Sequence, residues 1–414
     1  MTSHTLVLGA GIVGVSVALH LQERGETVTL IDRHAPGEGA SFGNAGLIER
    51  CSVIPYAIPR NWRSLFTHAS NRYAAVHYEP SFLPKIAPWL FSYWKSSRAD
   101  RLMKIAGDLL PLLEACLSEH ERLVDAAGLG HLLKRDGWVE VIRSPQGLDD
   151  ANRRVATLGM TYGLKADLLD RAALKRLEPA LKVAAIGAIH WRDPFTVSDP
   201  GALTKGYAAL FERRGGTILR EAVTSAAPAG AGWRVTTEQS HQEAERIVVA
   251  LGAHSNDLLA PFGLRVPLVA KRGYHLHYRH IAGTTLNHAI LDEEIGYVLA
   301  PMTAGIRLTT GIELAPPDAP ANRVQIDRSE IRARELFPLG EQVEAEPWLG
   351  LRPAMPDMKP VIGEAPGHRG LWLAFGHAHH GLTLGPATGR LLAEMMTGDE
   401  PFADPRPFDI RRFL

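Results

Sequence analysis

A turn of three glycines near the N-terminus constrains the fold more than any other feature of the chain. Thr5-Leu6-Val7-Leu8 is a short apolar run of the kind buried in a parallel sheet. Gly9-Ala10-Gly11-Ile12-Val13-Gly14 follows, and Val17, Ala18 and Leu21 then mark one face of a helix. A second strand is expected over Thr27 to Ile31, after a turn at Gly25, and it ends in Asp32, eighteen residues beyond Gly14. In such a unit Gly9 permits the tight turn, Gly11 lets backbone approach a pyrophosphate, and Gly14 lets the helix pack on the sheet. Ile12 and Val13 open the helix, whose free N–H groups bind the anion. Asp32 stands where a carboxylate accepts bonds from ribose hydroxyls and repels a 2′-phosphate, which favours FAD or NAD over NADP. These residues read as a Rossmann-like βαβ unit of an α/β protein.

The unit is too short to be the whole molecule. At 414 residues the chain has length for two folding units, and its 45% hydrophobic and 22% charged residues suit a globular core. Lys plus Arg equals Asp plus Glu at 45 each, so no net field draws the protein to nucleic acid, and no such partner is expected. Cys51 and Cys116 are too few for a zinc cluster or disulfide scaffold and read as free thiols in a reducing compartment. No secretory pattern and no run of about 18 uncharged apolar residues occurs, so the expected location is cytoplasmic. Phe82 to Trp94 reads as an amphipathic helix covering the core; the open alternative is a membrane-surface or quinone-facing patch, peripheral at the inner face.

Asp32 and Arg33 lead into a loop of small residues, Ala35 to Gly46, where an NAD half-domain would continue to wind strands and helices. Ser41-Phe42-Gly43-Asn44-Ala45-Gly46, followed by Leu47, resembles the segment beside the isoalloxazine ring in the D-amino acid oxidase superfamily of flavoproteins, in particular its D-amino-acid dehydrogenase and glycine oxidase branch. Val223 resembles the family residue whose backbone reads the adenine. Ile247 to Ala253 is similar to a second family fingerprint, in which Ala250 and Gly252 lie beside the dinucleotide. Trp348 to Pro353, with Asp357 and Pro360 to Gly363, resembles the signature before the active site. Ala374 to Pro386 is similar to the G-H-x-x-x-G segment, here Gly376, His377, Gly381, and then Leu382 and Thr383. Leu371 to Phe375 is expected as a strand and Thr383 to Met396 as a helix stopped by Gly398, its N-terminus offering dipoles to the flavin.

The resemblance implies FAD as cofactor, bound without a covalent link, since neither cysteine matches the attachment site of the sarcosine oxidases. It implies that Arg352, expected in a short loop between Gly350 and Pro353, clamps a substrate carboxylate. Tyr297 would cover the substrate with its hydroxyl, Tyr274 would lie near the flavin, His377 beside the ring, and His379, with His380, would line the pocket. No metal is expected, because no Cys or carboxylate shares the histidine turn. The implied reaction is oxidative deamination of a D-amino acid: hydride passes from Cα to flavin N5, and the imine hydrolyses to a 2-oxo acid. Electrons would go to a quinone or another carrier. An oxygen-using amino acid oxidase, a proline- or hydroxyproline-type dehydrogenase and a non-catalytic flavin subunit remain as alternatives. A NAD-dependent enzyme would need a second half-fold that the sequence lacks. Oligomeric state is left open.

The expected flavin domain is discontinuous, 1–80, 197–262 and 345–414, with a substrate domain at 81–196 and 263–344. That second domain is an antiparallel sheet including Trp138 to Ile142, Ala185 to Trp191, Gly273 to Tyr278 and Ile306 to Gly311, with helices over Arg101 to Ala127 outside it. Ala226 to Gly232 is expected as a hairpin tip.

Overall fold

Strand His4–Leu8 is covered on both faces, which is why its sequence is apolar without alternation. Val7 packs among helices, while Leu6 and Leu8 join a second cluster on the opposite side. The computed structural model describes residues 3–60, 69–182 and 184–414. In it, His4–Leu8 lies inside a six-stranded sheet ordered Thr217–Arg220, Thr27–Asp32, His4–Leu8, Arg246–Val249, Leu371–Phe375, Val361–Glu364. The first five are mutually parallel and the last is antiparallel.

One face carries the opening helix Ile12–Glu23, the closing helix Gly381–Thr397 and Pro200–Arg213. The other is covered by a three-stranded antiparallel sheet, Val223–Ala229, Gly232–Thr237 and His241–Ala244, through Trp233 and Val235. The expected hairpin tip is therefore shorter: Ala226 to Ala229 are already strand, and the turn is at Gly230 and Ala231. The closing helix starts at Gly381, two residues before the expected Thr383, and stops as expected with Gly398 left-handed at its end. A Cβ on Gly389 would run into the backbone of Ser16, so glycine there sets the closeness of the opening and closing helices.

The second sheet has ten strands. Its centre is Val269–Tyr278, paired with Gly305–Thr310, Ile312–Leu314 and Trp348–Ala354. Helix Val324–Leu336 packs on one face through Ile326, Ala333 and Leu336. The sheet is mixed rather than antiparallel throughout: Ile290–Asp292 runs parallel to Trp138–Ile142, and Val76–Tyr78 parallel to Ile312–Leu314. In both pairs the partners are far apart in sequence, where no hairpin imposes direction. Val76–Tyr78 and Trp348–Ala354 belong to this sheet, although the expected ranges put them in the flavin unit.

Ala99–Ala127 is one 29-residue helix and does not lie outside the larger sheet as expected. Its apolar stripe of Leu109, Leu112, Leu113, Cys116 and Leu123 shares a core with the opening and closing helices, so burial placed it there. Helix Leu83–Ser96 buries Ile86, Trp89 and Tyr93 and exposes Phe91 and Trp94. Among the described residues no helix is long and apolar enough to cross a membrane.

Candidate active site

The glycine turn is shaped by close backbone approach. Gly9 has φ +111°, and a Cβ there would meet the Ala250 carbonyl; a Cβ on Gly14 would meet the carbonyl of Gly9. Asp32 ties the turn to the second strand: its Oδ2 accepts from the Ala10 N–H at 2.7 Å and its Oδ1 from the His34 N–H at 2.9 Å. Gly11 caps the opening helix with no side-chain bond, while Ser41 Oγ accepts from the Ile12 N–H at 3.0 Å. Arg33 reaches His254, 3.0 Å from Nη2 to Nε2. Gly9, Gly11, Ile12, Asp32, Arg33 and Ser41, with Val13, Val223, Ala250 and Gly252 but not Gly14, line one cavity of about 1280 Å³ that continues to Arg352 and His379. That volume exceeds an ordinary small-ligand pocket of roughly 300–1,000 Å³ and suits a dinucleotide together with a substrate. Backbone brought close by the glycines, open N–H groups at a helix start and a carboxylate on the second strand fit FAD at this site.

The small-residue loop is held from the other sheet. Asn44 Oδ1 accepts from the Gly46 N–H at 2.8 Å, and Arg307 Nη1 donates to the carbonyls of Phe42 and Asn44 at 2.9 and 2.6 Å. Arg307 is buried, its Nε bonds His277 Nε2 at 2.9 Å, and burial pulls its guanidinium down to about 10. The sequence carried no local sign of this role. Ala45 and Leu47 complete the loop wall, and Glu49 N–H donates to Thr383 Oγ1 at 3.1 Å.

Gly376 and His377 begin the last turn of the cavity wall. His377 Nε2 lies 2.9 Å from Thr388 Oγ1, and burial, then the neighbouring His380, pulls its pKa down to about 3. Its imidazole is neutral and bonded to the closing helix. That helix starts at Gly381 without a side-chain cap, so the first N–H groups, including those of Leu382 and Thr383, offer an anion site.

Arg352 lies on strand Trp348–Ala354, not in a loop, because Leu351 to Pro353 continue the pairing with Val269–Tyr278. Its guanidinium folds over Gly273, donating from Nη1 to the Gly311 carbonyl at 2.6 Å and from Nη2 to the Thr310 carbonyl at 3.0 Å. No carboxylate pairs with it among the described residues. Burial pulls it down to about 10, opposed by the Tyr56 phenol.

The two tyrosines differ from expectation. Both border the cavity, yet both pack in the core under Val324–Leu336. Tyr297 Oη accepts from Arg143 at 3.3 Å and faces the Arg332 carbonyl; Tyr274 Oη donates to Glu313 at 2.6 Å and accepts from Arg272 at 3.0 Å. Two-residue alternation along Val269–Tyr278 explains this: Arg272 and Tyr274 take the face opposite Lys271 and Gly273. The cavity wall is instead completed by Tyr56 and Lys271, which sequence reasoning missed. The Tyr56 ring lies 5.0 Å from that of His379. Lys271 sits directly opposite Arg352 in the strand pairing.

His379 and His380 have a carboxylate neighbour after all, Glu49, and their ligand atoms lie within 4.8 Å of one another. His380 Nε2 is 3.6 Å from Glu49 Oε2. Burial first, and then His380, Lys271 and Arg352, hold His379 well below the ordinary histidine range. That same positive charge opposes bringing a metal cation to these three groups.

A family model described as FAD dependent oxidoreductase, DAO, matches residues 4–395. A D-amino-acid oxidase of Bradyrhizobium diazoefficiens is 32% identical over 99% of both chains. A D-amino acid dehydrogenase of Rhizobium johnstonii is 29% identical over 99% of both. Among solved structures, glycine oxidase from Geobacillus kaustophilus covers 100% of both chains with a TM-score of 0.76 at 23% identity, a likeness of fold.

Proposed function

The chain belongs to the DAO family of FAD-dependent oxidoreductases, and on that premise we propose that it oxidises a D-amino acid or related carboxylate-bearing amine, with electrons passed to a quinone or another carrier. The observation that carries the proposal is Arg352, a half-buried guanidinium on the cavity wall with two of its five N–H donors spent on carbonyls and none on a carboxylate among the described residues. Bound FAD would accept the hydride that leaves the substrate Cα, and the resulting imine hydrolyses to a 2-oxo acid.

The chain's own contribution is positioning and exclusion of water. Gly9, Gly11, Ile12, Val13, Gly14, Asp32 and Arg33 would hold the adenosine diphosphate; Ser41, Asn44, Ala45, Gly46 and Leu47 would hold the flavin, with Gly376, His377, Gly381, Leu382 and Thr383. Arg352 would take the substrate carboxylate by its remaining donors, and the carbonyls of Thr310 and Gly311 keep the fork from swinging. His379, kept neutral, has an unpartnered Nε2 that can accept an N–H from the substrate amine. Cys51 and Cys116 are both buried, and neither lines the cavity. The larger sheet would close the substrate side.

Oxygen as acceptor is the second reading, favoured by the name of the 32% identical relative, an oxidase. Anaerobic reduction of the yellow holoenzyme with a panel of D- and L-amino acids and cyclic secondary amines, followed by air, tests both. Bleaching by D-amino acids with slow recovery in air is the expected result. Fast recovery with peroxide would replace the carrier by oxygen, and no bleaching by any compound would overturn the proposal.

A further inference from the structure

The cavity wall holds two cations where a carboxylate clamp needs one. Lys271 and Arg352 are direct partners across an antiparallel strand pair, so their side chains leave the sheet on the same face. Lys271 is buried and forms no ion pair among the described residues. Among the described residues its Nζ meets Met358 Sδ at 3.7 Å and the ring faces of Tyr93 and Trp89 at 4.4 and 5.0 Å. The carboxylates along the cavity have other neighbours: Glu49 lies by His380, Glu293 pairs with Arg154, Glu38 with Lys205, Asp257 faces His254, and Asp32 binds the glycine turn. Two like charges side by side, Lys271 buried and Arg352 half-buried, with no counter-ion among the described residues, are costly unless a ligand supplies the anions.

The two heads also diverge. The Arg352 guanidinium leans over Gly273, two residues along the strand and about 7 Å from the Lys271 position by the strand rise. Lys271 extends instead into the aromatic pair of helix Leu83–Ser96. A single carboxylate meets one head; a molecule with carboxylates at both ends of a short carbon chain meets both.

We infer that Lys271 and Arg352 form a two-anion subsite, and that the preferred substrate is an amino acid whose side chain ends in a second carboxylate, Arg352 taking the α-carboxylate and Lys271 the distal one. This rests on the proposed amino acid oxidation and narrows its substrate class.

Three measurements on the holoenzyme test it. First, D-aspartate and D-glutamate should reduce the flavin with kcat/KM about 10- to 100-fold above D-asparagine and D-glutamine, the worth of one charge-assisted hydrogen bond. Equal or better use of the amides would overturn the subsite while leaving the oxidation proposal standing. Second, succinate or glutarate, titrated into oxidised wild-type protein and followed by the flavin spectrum, should bind at least about tenfold more tightly than butyrate or valerate. This reading needs no turnover, so it judges the subsite even if no amino acid bleaches the flavin; equal affinities would refute it. Third, Lys271→Met should collapse the acid-to-amide ratio towards one, and Lys271→Arg should restore part of it. A ratio unmoved by Lys271→Met would remove the residue from the site.

The ratio should also depend on pH. Burial first, then Arg352, pulls the Lys271 ammonium down to about 7. Across that range Arg352 stays cationic, Tyr93 and Tyr56 stay protonated, and His379 stays neutral. The acid's amine is more basic than the amide's, but well below both amine pKa values the two neutral fractions rise in step with pH and leave the ratio's profile unchanged. The acid preference should thus be full below pH about 7 and fall above it, and a flat profile would count against a charged Lys271.

Discussion

Arg352, half-buried, and Arg307, buried, are both bonded to backbone carbonyls, but they face different partners and make different predictions. Arg352→Ala should raise KM for a carboxylate-bearing amine and cost about 2 to 4 kcal/mol in kcat/KM, with flavin content unchanged. Steady-state kinetics beside the flavin spectrum would show it, and an unchanged KM would take Arg352 out of the site. Arg307→Met removes the bonds that hold Phe42 and Asn44, so the loop from Ser41 to Gly46 should loosen. FAD affinity should fall by about 1 to 3 kcal/mol, measured by titrating apoprotein with FAD. Arg352 was legible because the L-R-P run around it is local. Arg307, Lys271 and Tyr56 were not, since what gives each its role is a partner distant in sequence and the face its strand presents.

At the scale of elements, the strands and helices with strong apolar patterns were readable and their partners were not. Trp138–Ile142 emerged at its observed bounds because both its faces are covered. Its parallel pairing with Ile290–Asp292 depends on where the chain returns some 150 residues later, which no local pattern encodes. Helix Val324–Leu336 went unread although Ile326, Ser329, Ala333 and Leu336 are buried at helical spacing, because two of the four are small. Where the pattern is glycine, the element-level consequence is testable. Gly389→Val would force the closing helix off the opening one, whose N-terminus offers the pyrophosphate site. Destabilisation of about 1 to 3 kcal/mol is expected. Thermal melting should show a lower Tm and a smaller gain from added FAD than in wild type.

The whole molecule keeps several histidines dry. His120, His377 and His275 are buried, and burial above all pulls them down to about 4, 3 and 2. In the unfolded chain each titrates near 6.5, so between those values the unfolded state binds more protons. Their contribution is therefore full above pH about 6.5 and is lost progressively as pH falls towards 4. Melting curves at pH 8, 7, 6 and 5 should show a Tm that is level at the alkaline end and drops at the acid end; a Tm independent of pH would contradict the assignment. The order of strands in the parallel sheet has a further consequence, for the chain while it is being made. His4–Leu8 is translated well before Leu371–Phe375 and the helix after it, which complete its neighbourhood. At ~5–20 residues per second on the ribosome, that early strand waits tens of seconds for its last companions. Through that interval its apolar faces are without their final cover, and pairing with Thr27–Asp32, its native neighbour along the sheet, is the first shield the chain itself can supply.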